Sequence, residues 1–401
     1  MKFIDAGWII DGSGGPVLKN MRLGIKDGNI ISIDDSGFKD SATSKAIDLS
    51  SCTILPPLVD SHVHLLMSGT DDPEFREMQL DMDFDKASDI ILNHISQYLS
   101  HGILAVRDGG DKNAHALQYF NECPDEKNFP VNIKIAGKAW HRAGRYGGLI
   151  GRAPDKSFSL AEAINSCPDE IDHIKIVNSG LNSLKEFGKE TDPQFSVEEL
   201  SDAVKIAGKL GLKVMVHANG KRPVAAAVLA GCHSIEHGFF MGEDNLKLMA
   251  EKDITWVPTA CTMKAYCEHM EKGSIEYDVA CMNLEHQIKQ ISKARELGVT
   301  IALGTDAGSI GVHHGSAVIH ELGLLIAAGY LLPEAIKCAT YNGAKLLGIN
   351  DFGIIGKDKP ASFIAVQGEP SDLPDSISSV KAVCIDGYLS SPPPKSRSCG
   401  V

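Results

Sequence analysis

Two histidines one residue apart, His62 and His64, close an apolar stretch that begins at Thr53. In an extended strand alternate side chains share a face, so both imidazoles project toward one point. Paired imidazoles suit a divalent metal ion; a pair of surface histidines at a strand end is the plainer alternative. The choice rests on what the rest of the chain places in matching positions. Four further residues sit in or at the end of apolar runs. They are Lys175 in His173-Ile174-Lys175-Ile176-Val177, His217 after Val214-Met215-Val216, His237 after Ser234-Ile235-Glu236, and Asp306 in Gly304-Thr305-Asp306-Ala307-Gly308. Any one of them alone reads as structural. All of them at successive strand ends are hard to ascribe to coincidence.

The elements that would position these residues alternate along the chain. Strand-like runs fall at 53–59, 103–106, 131–135, 173–177, 212–216, 234–236, 254–257 and 300–303. Helical patterns separate them, at about 85–100, 222–230, 243–252, 283–297, 315–328 and 333–347. Another begins at Ser196, an N-cap with Glu199 three residues on, and stops at Gly211. Strands alternating with helices over 53–353 predict an α/β fold, a (β/α)8 barrel of the TIM type, whose functional groups sit at the carboxyl ends of the strands. A doubly wound open sheet is the alternative, but no Gly-x-Gly-x-x-Gly follows any strand. The two ends of the chain differ from the middle. Residues 1–52 and 354–401 read as short strands and Asp-Gly or Gly-Gly turns, which predicts one small β-sandwich domain built from both termini. Ser390 to Pro394 reads as a loose tail.

Composition narrows the class. With 401 residues, 43% hydrophobic and 23% charged, the chain has the make-up of a globular protein with a large core. A net charge of -13 argues against a nucleic-acid surface or an anionic membrane as partner. The start, Met1-Lys2-Phe3-Ile4-Asp5, lacks a signal-peptide layout, and no apolar run approaches the ~20 residues of a membrane span. Ten cysteines without a Cys-x-x-Cys pair suit reduced thiols in a cytoplasm rather than a disulfide framework.

The stretches Leu58-Val59-Asp60-Ser61-His62-Val63-His64, His173-Ile174-Lys175-Ile176, Ser234-Ile235-Glu236-His237-Gly238 and Gly304-Thr305-Asp306-Ala307-Gly308 resemble a metal-dependent hydrolase of the amidohydrolase superfamily. Glu321-Leu322, the run from Glu334 to Gly348 and Gly353-Ile354-Ile355-Gly356-Lys357 are similar to its imidazolonepropionase-like and prolidase-like branch. The resemblance implies two divalent metal ions, zinc by preference. His62, His64 and Asp306 would hold one, His217 and His237 the other. Lys175, carboxylated by CO2 on its ε-nitrogen, would bridge them, since an ammonium can only donate. The plain alternative is a barrel lysine paired with a carboxylate. A bridging hydroxide would be the nucleophile, with Asp306 as its proton acceptor.

The activity so implied is hydrolysis of a C–N amide bond in a small carboxylate-bearing substrate, a dipeptide or an N-acyl amino acid. A cyclic-amide hydrolase or a deaminase of the same superfamily is the alternative, and a non-catalytic barrel scaffold a remote one, since no ligand is missing. Deaminases of the group carry a Glu three residues after the histidine that matches His217, where this chain has Gly220. Many prolidase-like relatives carry a Tyr two residues after that histidine, where this chain has Asn219. Substrate contacts are expected from Asn219 and from the 140–152 loop, through His141, Arg142, Arg145 and Tyr146, because guanidinium groups suit carboxylates. Arginines that tie down a glycine-rich loop are the competing reading. His313-His314-Gly315 would touch substrate or cap the next helix. A homo-oligomer follows from the resemblance alone.

Overall fold

The computed structural model of the chain describes residues 1–35, 46–122 and 130–393. Cys123, Cys399 and the end of the proline stretch, Pro394, lie outside the described residues. Four strands open the chain: β1 (Lys2–Ile9), β2 (Leu18–Lys26), β3 (Asn29–Asp35) and β4 (Ile47–Leu55). The middle carries β5 (Leu58–Val63), β6 (Ile103–Asp108), β7 (Asn132–Lys134), β8 (Ala139–Trp140), β9 (Gly151–Arg152), β10 (His173–Val177), β11 (Lys213–Ala218), β12 (Ser234–His237) and β13 (Thr255–Val257). The chain ends with β14 (Phe363–Gln367), β15 (Val380–Ile385) and β16 (Tyr388–Ser390).

Strands from both ends share one seven-stranded sheet, ordered β16-β15-β14-β4-β1-β2-β3. Its own core gathers Ile4, Ile9, Leu23, Ile54 and Phe363. The middle strands pair in parallel, as β5-β6-β7 and as β13-β12-β11-β10-β8-β9. Parallel strands need crossovers, and between β5 and β6 and from β10 to β13 these are helices. Helix Val197–Lys209 shows how the sequence sets such a boundary. Ser196 and Glu199 form the reciprocal capping box, and Gly211 leaves the helix at φ +73°.

Three expected elements are built differently. The run 53–59 is divided between two sheets: Thr53–Leu55 belong to β4 and Leu58 opens β5. Pro56 and Pro57 between them have no N–H to give to either ladder, so the chain changes sheets there. The run 300–303 forms only the isolated bridge Trp256–Ile301. Its backbone is claimed elsewhere. Leu303 N–H donates to the Cys338 carbonyl at 2.9 Å, and Ile301 O accepts from Asn342 Nδ2 at 2.7 Å. The same diversion breaks the expected helix at 333–347 into Leu332–Lys337, a π-helical turn Cys338–Asn342 and Gly343–Leu347.

Segment 300–307 nevertheless lies between β13 and β5. Trp256 N–H donates to Thr300 O, Ser61 N–H to Leu303 O and Asp306 N–H to His62 O. The buried Asp60 carboxylate accepts from Thr305 N–H at 2.9 Å and from its hydroxyl at 2.5 Å. That acid brings Asp306 beside His62 and His64.

Candidate metal centre

The ends of β5, β10, β11 and β12 and the turn after Thr305 converge. One donor atom each from His62, His64 and Asp306 lies within 4.8 Å of the others. Asp306 Oδ1 is 3.5 Å from His62 Nε2 and 3.4 Å from His64 Nε2, while its Oδ2 accepts from Ser309 Oγ at 2.9 Å. Lys175 Nζ lies 3.2 Å from His62 Nε2. The His237 ring packs against both His62 and His217, with centroids 4.9 and 4.6 Å away. His62, His64 and Asp306 therefore form one group of donors, Lys175 touches it through His62, and His237 and then His217 stack beside it. Asp306 and His237 reach it from left-handed backbone, at φ +59° and +67°, which turns their side chains out of the strand direction.

Each imidazole has one nitrogen anchored by protein. His62 Nδ1 meets Glu236 Oε2 at 2.8 Å and His64 Nδ1 the Gly110 carbonyl at 2.8 Å. His217 Nε2 meets the Gly180 carbonyl at 3.2 Å, and His237 Nδ1 the Thr259 hydroxyl at 2.7 Å. A carbonyl or carboxylate accepts only from N–H, so for His62, His64 and His217 the opposite nitrogen keeps its lone pair. Burial holds all four rings neutral: it pushes His64 down to about 4, His217 to about 3, and His62 and His237 well below the usual range. Neutral rings with an anchored second nitrogen are what metal ligation requires.

Lys175 is 1% exposed and, among the described residues, makes no ion pair with a carboxylate. Burial lowers its pKa, and nearby Glu236 and Asp306 oppose that. Burial likewise raises the Asp306 carboxyl. This donor set fits divalent cations: neutral ring nitrogens and a carboxylate facing one another.

The model of the Amidohydrolase family matches residues 53–389. The chain belongs to that family. This amidohydrolase is 25% identical to ochratoxinase of Aspergillus niger over 381 residues, which covers 86% of this chain and 76% of that protein. It is 24% identical to imidazolonepropionase of Phocaeicola vulgatus over 358 residues, 80% of this chain and 78% of that one. A crystal structure of a Xaa-Pro dipeptidase with bound methionine in the active site superposes with a TM-score of 0.82 at 28% identity, covering 97% of this chain and 99% of that one. The protein is thus a hydrolase acting on carbon–nitrogen bonds.

The loop residues expected to meet substrate divide in this amidohydrolase. Arg142 forks onto Glu199, with Nη2 at 2.7 and 2.8 Å from its oxygens, and its Nε donates to the Gln194 carbonyl. Arg145 donates to the Asp192 carbonyl at 2.9 Å, and Arg152 to Asp169 at 2.8 Å. These guanidinium groups are bonded to acceptors on neighbouring segments and tie the loop to them. His141 donates to, or turns toward, the Arg142 carbonyl at 3.0 Å. Tyr146 is the member that faces the site: its ring is 5.5 Å from His217, and burial and Asp306 raise its phenol. Asn219 is buried, and its Oδ1 accepts from Phe239 N–H at 3.0 Å. Gly220 sits at φ +87° with Glu190 where a Cβ would go, and Glu190 accepts from Lys221 N–H at 2.9 Å. The His313 carbonyl accepts from Ala317 N–H, which opens the next helix, and the buried His314 stacks on His94 at 3.7 Å.

Sequence reasoning missed the supports. Glu236 holds His62 and is itself held by Arg107 Nη2 at 2.9 Å. Both are 0–3% exposed charges inside apolar strands, a visible oddity that marks them as partners of something buried.

Proposed function

We propose that this amidohydrolase carries a binuclear metal centre, working on a closed (β/α)8 barrel flanked by a small β-sandwich domain from both termini, and hydrolyses the amide C–N bond of a small carboxylate-bearing substrate. The observation that supports the reading is His62 and His64 facing Asp306, with the His237 and His217 rings packed beside them and the buried Lys175 amine against His62. His62, His64 and Asp306 would hold one ion and His217 and His237 the other, with Lys175 as a carbamate between them. When bound, such ions supply Lewis acidity toward a water and toward the scissile carbonyl. The chain's own residues do the rest. Asp306 takes a proton from the attacking water and delivers it to the leaving nitrogen, while Ser309 steadies its other oxygen. Glu236, Gly110, Gly180 and Thr259 keep each ring's ligating nitrogen aimed inward.

A dipeptide or N-acyl amino acid is the substrate class supported by the methionine bound in the superposed dipeptidase. With Arg142 and Arg145 engaged elsewhere, Tyr146 is the loop residue in this reading that touches substrate. The imidazolonepropionase relative supports cyclic amides as the second substrate class, and Gly220 in a left-handed conformation disfavours a deaminase acid there. The same reading takes zinc as the metal and a cytoplasmic homo-oligomer as the working form. Among the described residues no helix is long and apolar enough to cross a membrane. The test is a product-resolved screen with zinc and bicarbonate, offering dipeptides, N-acyl amino acids, cyclic amides and aminated heterocycles. Release of free amino acid supports the reading; ammonia without amino acid overturns it.

A further inference from the structure

The helix Cys261–His269 and the helix Ile275–Glu296 both brace the strand end that carries His237. The first follows Thr259, the partner of His237 Nδ1, and its opening N–H groups, Ala260 and Cys261, are held by the buried Glu321 carboxylate. From the second, Gln287 Nε2 donates to His237 O at 2.6 Å and to Pro258 O at 3.2 Å. Where the two helices meet, the Cys281 thiol donates to Cys267 Sγ at 2.9 Å. That separation is about 0.9 Å more than a covalent S–S bond. Both sulfurs are half-buried rather than sealed in the core, unlike Cys52, Cys232, Cys261, Cys338 and Cys384.

We propose that Cys267 and Cys281 are a site of reversible disulfide formation by exchange with a low-molecular-weight disulfide such as oxidised glutathione, which staples together the two helices that brace His237. A thiolate of the pair, its proton lost to buffer, attacks one sulfur of oxidised glutathione. The glutathione S–S bond breaks, one glutathione leaves as thiolate, and a mixed disulfide forms. The second protein thiolate attacks the protein sulfur of that mixed disulfide and expels the second glutathione. Two protein thiols and one glutathione disulfide become one protein disulfide and two glutathione thiols. Burial, the Cys281 hydrogen bond and Glu268 push the Cys267 thiol up to about 12, so the exchange is slow at neutral pH. Its extent is set by how close the second sulfur stands, and that favours the bond. The expectation from sequence of reduced thiols then describes this pair only under reducing conditions.

The test equilibrates the full-length protein with oxidised glutathione, blocks remaining thiols with N-ethylmaleimide and maps peptides by mass spectrometry. The expected result is a Cys267–Cys281 cross-linked peptide that reduced glutathione reverses, with a Tm about 2–5 °C higher in the oxidised form. Cys281→Ser abolishes the shift, and Cys167→Ser keeps it. Complete alkylation of both cysteines, or a separate glutathione on each with no cross-linked peptide, overturns the proposal. So does a Tm shift that Cys167→Ser removes. The peptide map of the unmodified sequence decides the matter even where Cys281→Ser fails to fold.

Discussion

Two groups of buried histidines sit within one chain, and His314 of the second uses its ring nitrogens differently from all four of the first. In the first, His62, His64, His217 and His237 each anchor one nitrogen and turn the other inward. In the second, His314 spends both: Nδ1 meets Tyr98 Oη at 2.5 Å and Nε2 the Met67 carbonyl at 2.7 Å. His94 stacks on it, with Nδ1 on the Leu65 carbonyl at 2.8 Å. Burial depresses the pKa of both groups alike. Neither burial nor a low pKa therefore identifies a metal site; a spare, converging lone pair does.

The comparison breaks most sharply on activity. His64→Asn and Asp306→Asn are expected to lower kcat/KM for the amide substrate by about 10³-fold or more, with metal lost in the histidine variant. His314→Asn is expected to leave metal content, measured by elemental analysis, unchanged. Equal metal loss in both histidine variants would erase the distinction. Lys175→Ala is expected to remove most bound metal and turnover, whatever bicarbonate is supplied; near-wild-type values would return Lys175 to a structural role. Glu236→Gln should weaken metal binding by roughly 10–100-fold through His62, measured by competition with a chelator. Unchanged affinity would mean that the carboxylate serves Arg107 alone.

Smaller effects fall on stability and sharpen the second group. Tyr98→Phe leaves His314 Nδ1 without its donor and should cost about 1–3 kcal/mol in denaturant unfolding with metal content intact. The pH response has a definite sign. The His94 pKa is pushed down to about 4 in the folded chain by burial, below the ordinary 6.5, so the unfolded chain takes up the proton first as pH falls. Its contribution is complete above 6.5 and is lost as pH drops through about 4, up to about 3 kcal/mol in all. His94→Phe should flatten the fall in Tm between pH 6.5 and 4.5; an unaltered slope would assign that loss to other groups.

Much of this was legible in the chain. His62 and His64 share a strand face because the strand period is two, and His217 and His237 close short apolar runs that are strands, whereas the run before Asp306 forms only a bridge. The helix boundary at Ser196 and Glu199 was equally local. The strand breaks were less so: Pro56-Pro57 was present, yet only a second sheet waiting for Thr53–Leu55 makes the break necessary. The loop arginines show the limit. Arg142 has the chemistry to hold a substrate carboxylate, but Glu199, 57 residues away, takes its guanidinium first.

The sequence by itself determined the types and order of the candidate ligands and the strands that carry or precede His62, His64, Lys175, His217 and His237, because side-chain alternation and hydrophobic runs are local properties. Tertiary structure alone decided which nitrogen of each ring stays free, because the anchor comes from afar: Glu236 lies 174 residues from His62. It also decided that Arg142 pairs with Glu199, that His314 stacks on His94 and that Cys267 faces Cys281. A hydrogen bond depends on which groups reach each other first in the packed molecule. No window along the chain contains that.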